Sequence, residues 1–85
     1  MLGILPSNFA VVFGQVLRLE RKRAGFTQEQ LAFESDLQRN YISLMELGRY
    51  QPTVATLFSL AYGLKVSPRE LVAALEDALA EQGQK

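Results

Sequence analysis

The sequence predicts an all-α fold of five helices, and three observations carry that expectation. Helix-capping signals punctuate the chain, apolar residues between them recur at helical spacing, and no segment alternates apolar with polar residues as a strand does. Pro6-Ser7-Asn8 opens a first helix over about residues 8–24, with Phe13, Val16, Leu17 and Ala24 on one face and Gly25 ending it. Phe26-Thr27-Gln28-Glu29-Gln30-Leu31 is a capping box with a hydrophobic staple: Thr27 caps the Gln30 N–H, the Gln30 amide reaches back, and Phe26 packs on Leu31. It starts a short second helix of about two turns through Leu31, Ala32 and Ser35. Tyr41, Ile42 and Met45 mark a third over about residues 38–47, closed by Gly48. Thr53 after Pro52 caps a fourth, in which Leu57, Leu60, Ala61 and Leu64 follow the i, i+3, i+4, i+7 template. Val66-Ser67-Pro68-Arg69-Glu70-Leu71 repeats the capping device, with proline at the first helical position, where its missing N–H is harmless. The fifth helix, over about residues 67–82, is lined by Leu71, Val72, Leu75 and Leu79 and fades into a polar tail.

Eighty-five residues, 48% apolar and 21% charged, form one globular domain's worth of chain, so a single domain over residues 1–85 is expected. There is no Cys and no His. That excludes a disulfide framework, a thiol nucleophile, an imidazole base and a zinc site of Cys or His ligands. No nucleophile–base pair or metal constellation can be assembled from what remains, so neither an enzyme nor a cofactor is expected. Nine basic residues balance nine acidic ones. No overall field therefore draws the molecule to nucleic acid or membrane, and anion binding must come from local placement. Residues 1–17 carry no charge, yet Pro6, Ser7 and Asn8 break the apolar run after five residues. A signal peptide needs a basic start and a cleavage site, and a spanning helix about 20 apolar residues. A cytoplasmic protein with no membrane partner is expected.

Only Asp36-Leu37 separates the second and third helices, too little chain for an antiparallel pair. The two must cross steeply, as a helix-turn-helix over about residues 27–48. Thr27-Gln28-Glu29-Gln30-Leu31-Ala32, then Tyr41-Ile42-Ser43 with Glu46 and Gly48, then Pro52-Thr53 through Leu57, Leu60-Ala61, Leu64 and Val66-Ser67 follow in order. At this spacing they resemble the Cro/repressor-type helix-turn-helix family, also called the XRE family, from about Phe13 to Leu71. Leu31-Ala32-Phe33-Glu34-Ser35 and Arg39-Asn40-Tyr41-Ile42-Ser43 are similar in particular to small controller proteins of restriction-modification systems. The resemblance implies a five-helix lambda-repressor-like domain and a transcriptional regulator that binds double-stranded DNA sequence-specifically, with the third helix as recognition helix.

Such a helix presents its N-terminal residues to base edges in the major groove. Here these are Gln38, Arg39, Asn40 and Ser43. Arg39 suits a bidentate pair with guanine, and Gln38 or Asn40 one with adenine. The resemblance puts Gln28 at a phosphate, at a helix N-terminus that favours anions. Tyr41, Arg49 and Tyr50 are the other DNA-backbone candidates. The resemblance also puts Arg21 and Glu46 where family members form an ion pair between the first and third helices. For each polar residue the alternative is an ordinary solvated surface. Arg21-Lys22-Arg23 equally suits the dipole at the end of the first helix.

The sequence also departs from the family pattern. Asp36 stands where the turn usually has glycine, Gln38 replaces the usual Ser or Thr cap, and Leu44 and Leu47 replace residues that are often basic. Leu44 has two readings: contact with a thymine methyl or, together with Leu47, contact with a protein. Leu19-Glu20 inverts the usual polar-then-apolar order, so that Val12, Val16 and Leu19 form a second apolar stripe. Leu75 and Leu79 extend past the end of a minimal repressor domain. Either these residues satisfy one another within one chain or they form a two-fold interface. The favoured expectation is a homodimer on an inverted-repeat operator. The alternative is a protein-interaction module, such as an antitoxin-like subunit, using the same fold against another protein.

Overall fold

The computed structural model describes residues 8–83 and contains α1 (Phe9–Arg23), α2 (Gln28–Ser35), α3 (Arg39–Glu46), α4 (Val54–Leu64) and α5 (Pro68–Gly83). No strand occurs among the described residues. Capping sets where the helices begin. Thr27 Oγ1 accepts from the Gln30 N–H at 3.0 Å while Gln30 Oε1 accepts from the Thr27 N–H at 2.8 Å. Thr53 Oγ1 takes the Thr56 N–H at 3.1 Å, and Ser67 and Glu70 form a reciprocal pair ahead of α5. The cap of α1 differs from expectation. Asn8, with φ −100° and ψ 24°, lacks the extended geometry that aims a capping side chain at the helix, and its amide donates instead to Gln82. Pro6 and Ser7 lie outside the described residues.

The ends of α1 to α4 share one device, paired N–H bonds that reach back into the last turn. They run from Gly25 and Phe26, Asp36 and Leu37, Gly48 and Arg49, and Lys65 and Val66. The first residue of each pair is left-handed, with φ of 81°, 56°, 78° and 65°. Asp36 therefore does adopt the conformation glycine usually supplies, and so does Lys65, which nothing in the sequence marked.

α1 packs on α3 and α5, α2 on α3 and α4, and α4 on α5. Phe13, Leu17, Leu31, Ile42, Met45, Leu60 and Leu71 fill the space between them. This arrangement corrects the second stripe on α1. Val12 and Val16 are 2% and 7% exposed and belong to the core, because α3 and α5 together cover a wider arc of α1 than one neighbour would. Leu19 alone of that stripe is exposed. Ala24, expected on the core face, comes after the last turn of α1 and is exposed. Leu75 and Leu79 are half-buried against the core.

The seam between α1 and α3 depends on two glycines. A Cβ on Gly14 would run into the Met45 carbonyl oxygen and stand 2.8 Å from that of Glu46, so the last turn of α3 rests directly on the α1 backbone. Gly48 combines a positive φ with a close approach, since a Cβ there would lie 2.9 Å from Val11 Cγ2.

Candidate nucleic-acid interface

The inner face of α3 is settled by Ile42 and Met45, both fully buried. At 3.6 residues per turn, burying those positions turns Asn40, Ser43, Leu44 and Leu47 outward. Gln38, Arg39 and Asn40 are exposed together at the N-terminal end, while Ser43 is half-buried. Gln38 is the N-cap and makes no side-chain bond to the helix it starts. Tyr41 packs partly on the core and meets Tyr50 edge-on, with ring centroids 5.2 Å apart at 89°. That contact fixes Tyr50 beside α3, next to the exposed Arg49. An open depression along this side is lined by Gln38, Asn40, Tyr41, Leu44, Tyr50, Gln51 and Thr53. Asp36 and Leu37 from the turn before α3 complete its lining, and neither they nor Gln51 and Thr53 carry a site signal in the sequence.

The α3 helix is held in place through Glu46. Its carboxylate accepts from Arg21 Nε at 2.6 Å and Nη2 at 3.0 Å, a bidentate pair joining α3 to α1. Arg21 Nη1 also donates to the Phe26 carbonyl oxygen at 2.8 Å. The two side chains are only 10% and 4% exposed. The hydrogen bond to Glu46 holds the Arg21 guanidinium above its ordinary pKa; burial opposes that shift and Coulomb attraction adds to it.

Gln28 Nε2 donates to the same carboxylate at 3.0 Å, which ties in α2. The Gln28 amide is thus engaged within the chain rather than turned freely to solvent. What it can still offer an anion is its second amide hydrogen and the unpaired backbone N–H of the first helical turn. Among the described residues, no group of His, Cys, Asp and Glu side chains is placed to hold a metal. Among those residues, no helix is long and apolar enough to cross a membrane.

Two short helices joined by a tight turn, the second exposing Gln38, Arg39 and Asn40 at its start, define a DNA-binding regulator of the helix-turn-helix class. A model of the helix-turn-helix family matches residues 17–71, and the chain belongs to that family, in its XRE-type form. It is 43% identical over 72 residues to the uncharacterized HTH-type transcriptional regulator y4dJ of Sinorhizobium fredii, covering 85% of this chain and 83% of the relative. The restriction-modification controller protein C.AhdI from Aeromonas hydrophila is similar in structure at a TM-score of 0.70 and 42% identity, over 73% of this chain and 94% of that one. The controller protein C.Esp1396I, solved as a tetramer in complex with its natural 35 base-pair operator, is similar at a TM-score of 0.80 and 31% identity. That similarity covers 88% of this chain and 99% of the other.

Removing Arg21 alone strands a buried carboxylate. Arg21→Met is expected to lower the unfolding free energy by about 3 kcal/mol in chemical denaturation. Adding Glu46→Met should recover most of that loss, because no unpaired charge then remains buried. Equal losses in the single and double variants would show that the stranded charge is not the cause.

Proposed function

We propose that this chain is a cytoplasmic, sequence-specific transcriptional regulator that binds double-stranded DNA as a homodimer on an inverted-repeat operator, without a catalytic role. The observation that carries this reading is the cluster of Gln38, Arg39 and Asn40, exposed at the start of a helix whose orientation Glu46 holds. Gln38, Arg39, Asn40 and Ser43 read base edges. Gln28, Tyr41, Arg49 and Tyr50 meet phosphates and set the register. The C.Esp1396I controller bound to its own operator supports an operator as the ligand of this fold.

A neutral chain makes few phosphate contacts, so one copy holds one half-site weakly. Pairing doubles the contacts and sets two recognition helices about one DNA turn, ~34 Å, apart. Phe33 on α2 and Leu47 after α3 are also uncovered, and the pairing surface of this reading is the apolar face of α4 and α5. Val54, 73% exposed, and the exposed Phe58 and Tyr62 recur every four residues along α4, with Val72 exposed on α5. Val54, Leu57 and Leu75 border one apolar hollow with Phe9 and Pro52, so the half-buried Leu75 continues this face. Leu79 lies one turn further along α5. This α4–α5 face replaces the α1 stripe, of which only Leu19 is exposed.

Selection from a pool of random duplexes should return inverted repeats. On the selected site Arg39→Ala should cost about 1–3 kcal/mol and relax preference at one base position. Arg49→Ala should weaken all sequences alike and lower the salt slope by about one. A pool that yields no preferred sequence, with another protein co-purifying instead, would favour a protein-interaction module.

Val54→Glu tests the pairing face with a residue that also suits the first turn of α4. The variant should be monomeric by light scattering, unchanged in circular dichroism and much weaker on the operator. A wild-type chain that is monomeric and binds one asymmetric site would contradict the homodimer.

A further inference from the structure

We propose that Leu44 reads a thymine through its 5-methyl group, a specificity contact that rests on the operator reading above. Leu44 lies one helical turn after Asn40 on the same outward strip of α3. It is half-buried, yet it does not pack on the core. It lines the open depression with Leu37, Asn40, Tyr41 and Tyr50, so its apolar surface borders one aliphatic neighbour and otherwise polar and aromatic groups. Among the described residues the side of Leu44 that faces this depression stays open to solvent. Leu47 differs: it is the C-cap of α3 and stands outside that depression.

The chemistry of the groove then selects the occupant. Base pairs present hydrogen-bond donors and acceptors on their major-groove edges, and the thymine 5-methyl is the apolar group among them. Leucine has no hydrogen bond to offer a base edge, and burying a polar edge against it would leave that edge unsatisfied. A methyl group is the one feature it can cover with gain. One α-helical turn advances 5.4 Å, against 3.4 Å per step of the duplex. With Asn40 rather than Gln38 taken as the residue that meets adenine, the methyl lies within about two base pairs of that adenine. Asn40 and Leu44 together form a short reader of A·T pairs, one through amide hydrogen bonds and the other through apolar contact.

Deoxyuridine isolates this contact, because it differs from thymidine only by the missing methyl. Each thymine of the selected half-site is replaced in turn and the affinity of the intact protein measured. Wild type should lose about fourfold at one position of each half-site, the scale of burying one methyl-sized group. Leu44→Ala should bind the thymine and uracil operators alike, while its circular dichroism shows it folded like wild type. Arg39→Ala should keep the full difference between the two operators. Wild-type protein indifferent to every uracil, or an undiminished difference in Leu44→Ala, would overturn the assignment and leave the operator reading in place. A pool from which no sequence is selected would overturn the operator reading and this contact with it.

Discussion

The Glu46 carboxylate is the point at which three helices meet, and the aim of α3 depends on it. Arg21 reaches it from α1 and Gln28 from the first turn of α2, all within 3.0 Å. Gly14 makes that meeting possible, since any side chain there would push the last turn of α3 off α1. A buried ion pair is a poor source of net stability, because desolvating both charges offsets most of their attraction. Its use here is orientation: two donors on different helices converge on one planar acceptor, and that convergence allows few arrangements of α3. Tyr41 and Tyr50 then extend the held helix into a surface by fixing the chain that leaves it.

Local signals were the most legible part of the sequence. The boxes at Thr27 and Ser67 and the cap at Thr53 act through side chains within three residues of the backbone they satisfy, so spacing alone reveals them. Asn8 fails as a capping side chain because its backbone, at φ −100° and ψ 24°, does not aim its side-chain oxygen at the first turn, and no local pattern encodes that torsion. Periodicity located the apolar faces but not what covers them. Val12 and Val16 have the spacing of a spare stripe, yet α3 and α5 flank α1 on two sides and bury both. The converse holds on α4, where Val54, Phe58 and Tyr62 carry ordinary helical spacing and only the packing shows them uncovered. At the candidate site, residue type pointed to Arg39 and Asn40. The engagement of Gln28 with Glu46 is a tertiary contact, invisible to spacing.

Charge distinguishes this surface from a general polyanion binder. With nine basic and nine acidic residues, attraction to the phosphate backbone is local, and Arg21 is used up inside the fold. On the function proposed above, discrimination rests on a short strip of α3 that mixes a guanidinium, amides and a leucine. Such a strip distinguishes base pairs through groups that differ between them, and it gains less from unselected DNA than a basic helix would.

Placement of that strip in the major groove is tested most directly by methylation interference on the selected operator. Dimethyl sulfate modifies guanine N7 in the major groove and adenine N3 in the minor groove, so one experiment reports on both. Insertion of α3 predicts interference at guanine N7 in two symmetric half-sites, their centres about one DNA turn apart. Interference confined to adenine N3, or absent at every base, would contradict it.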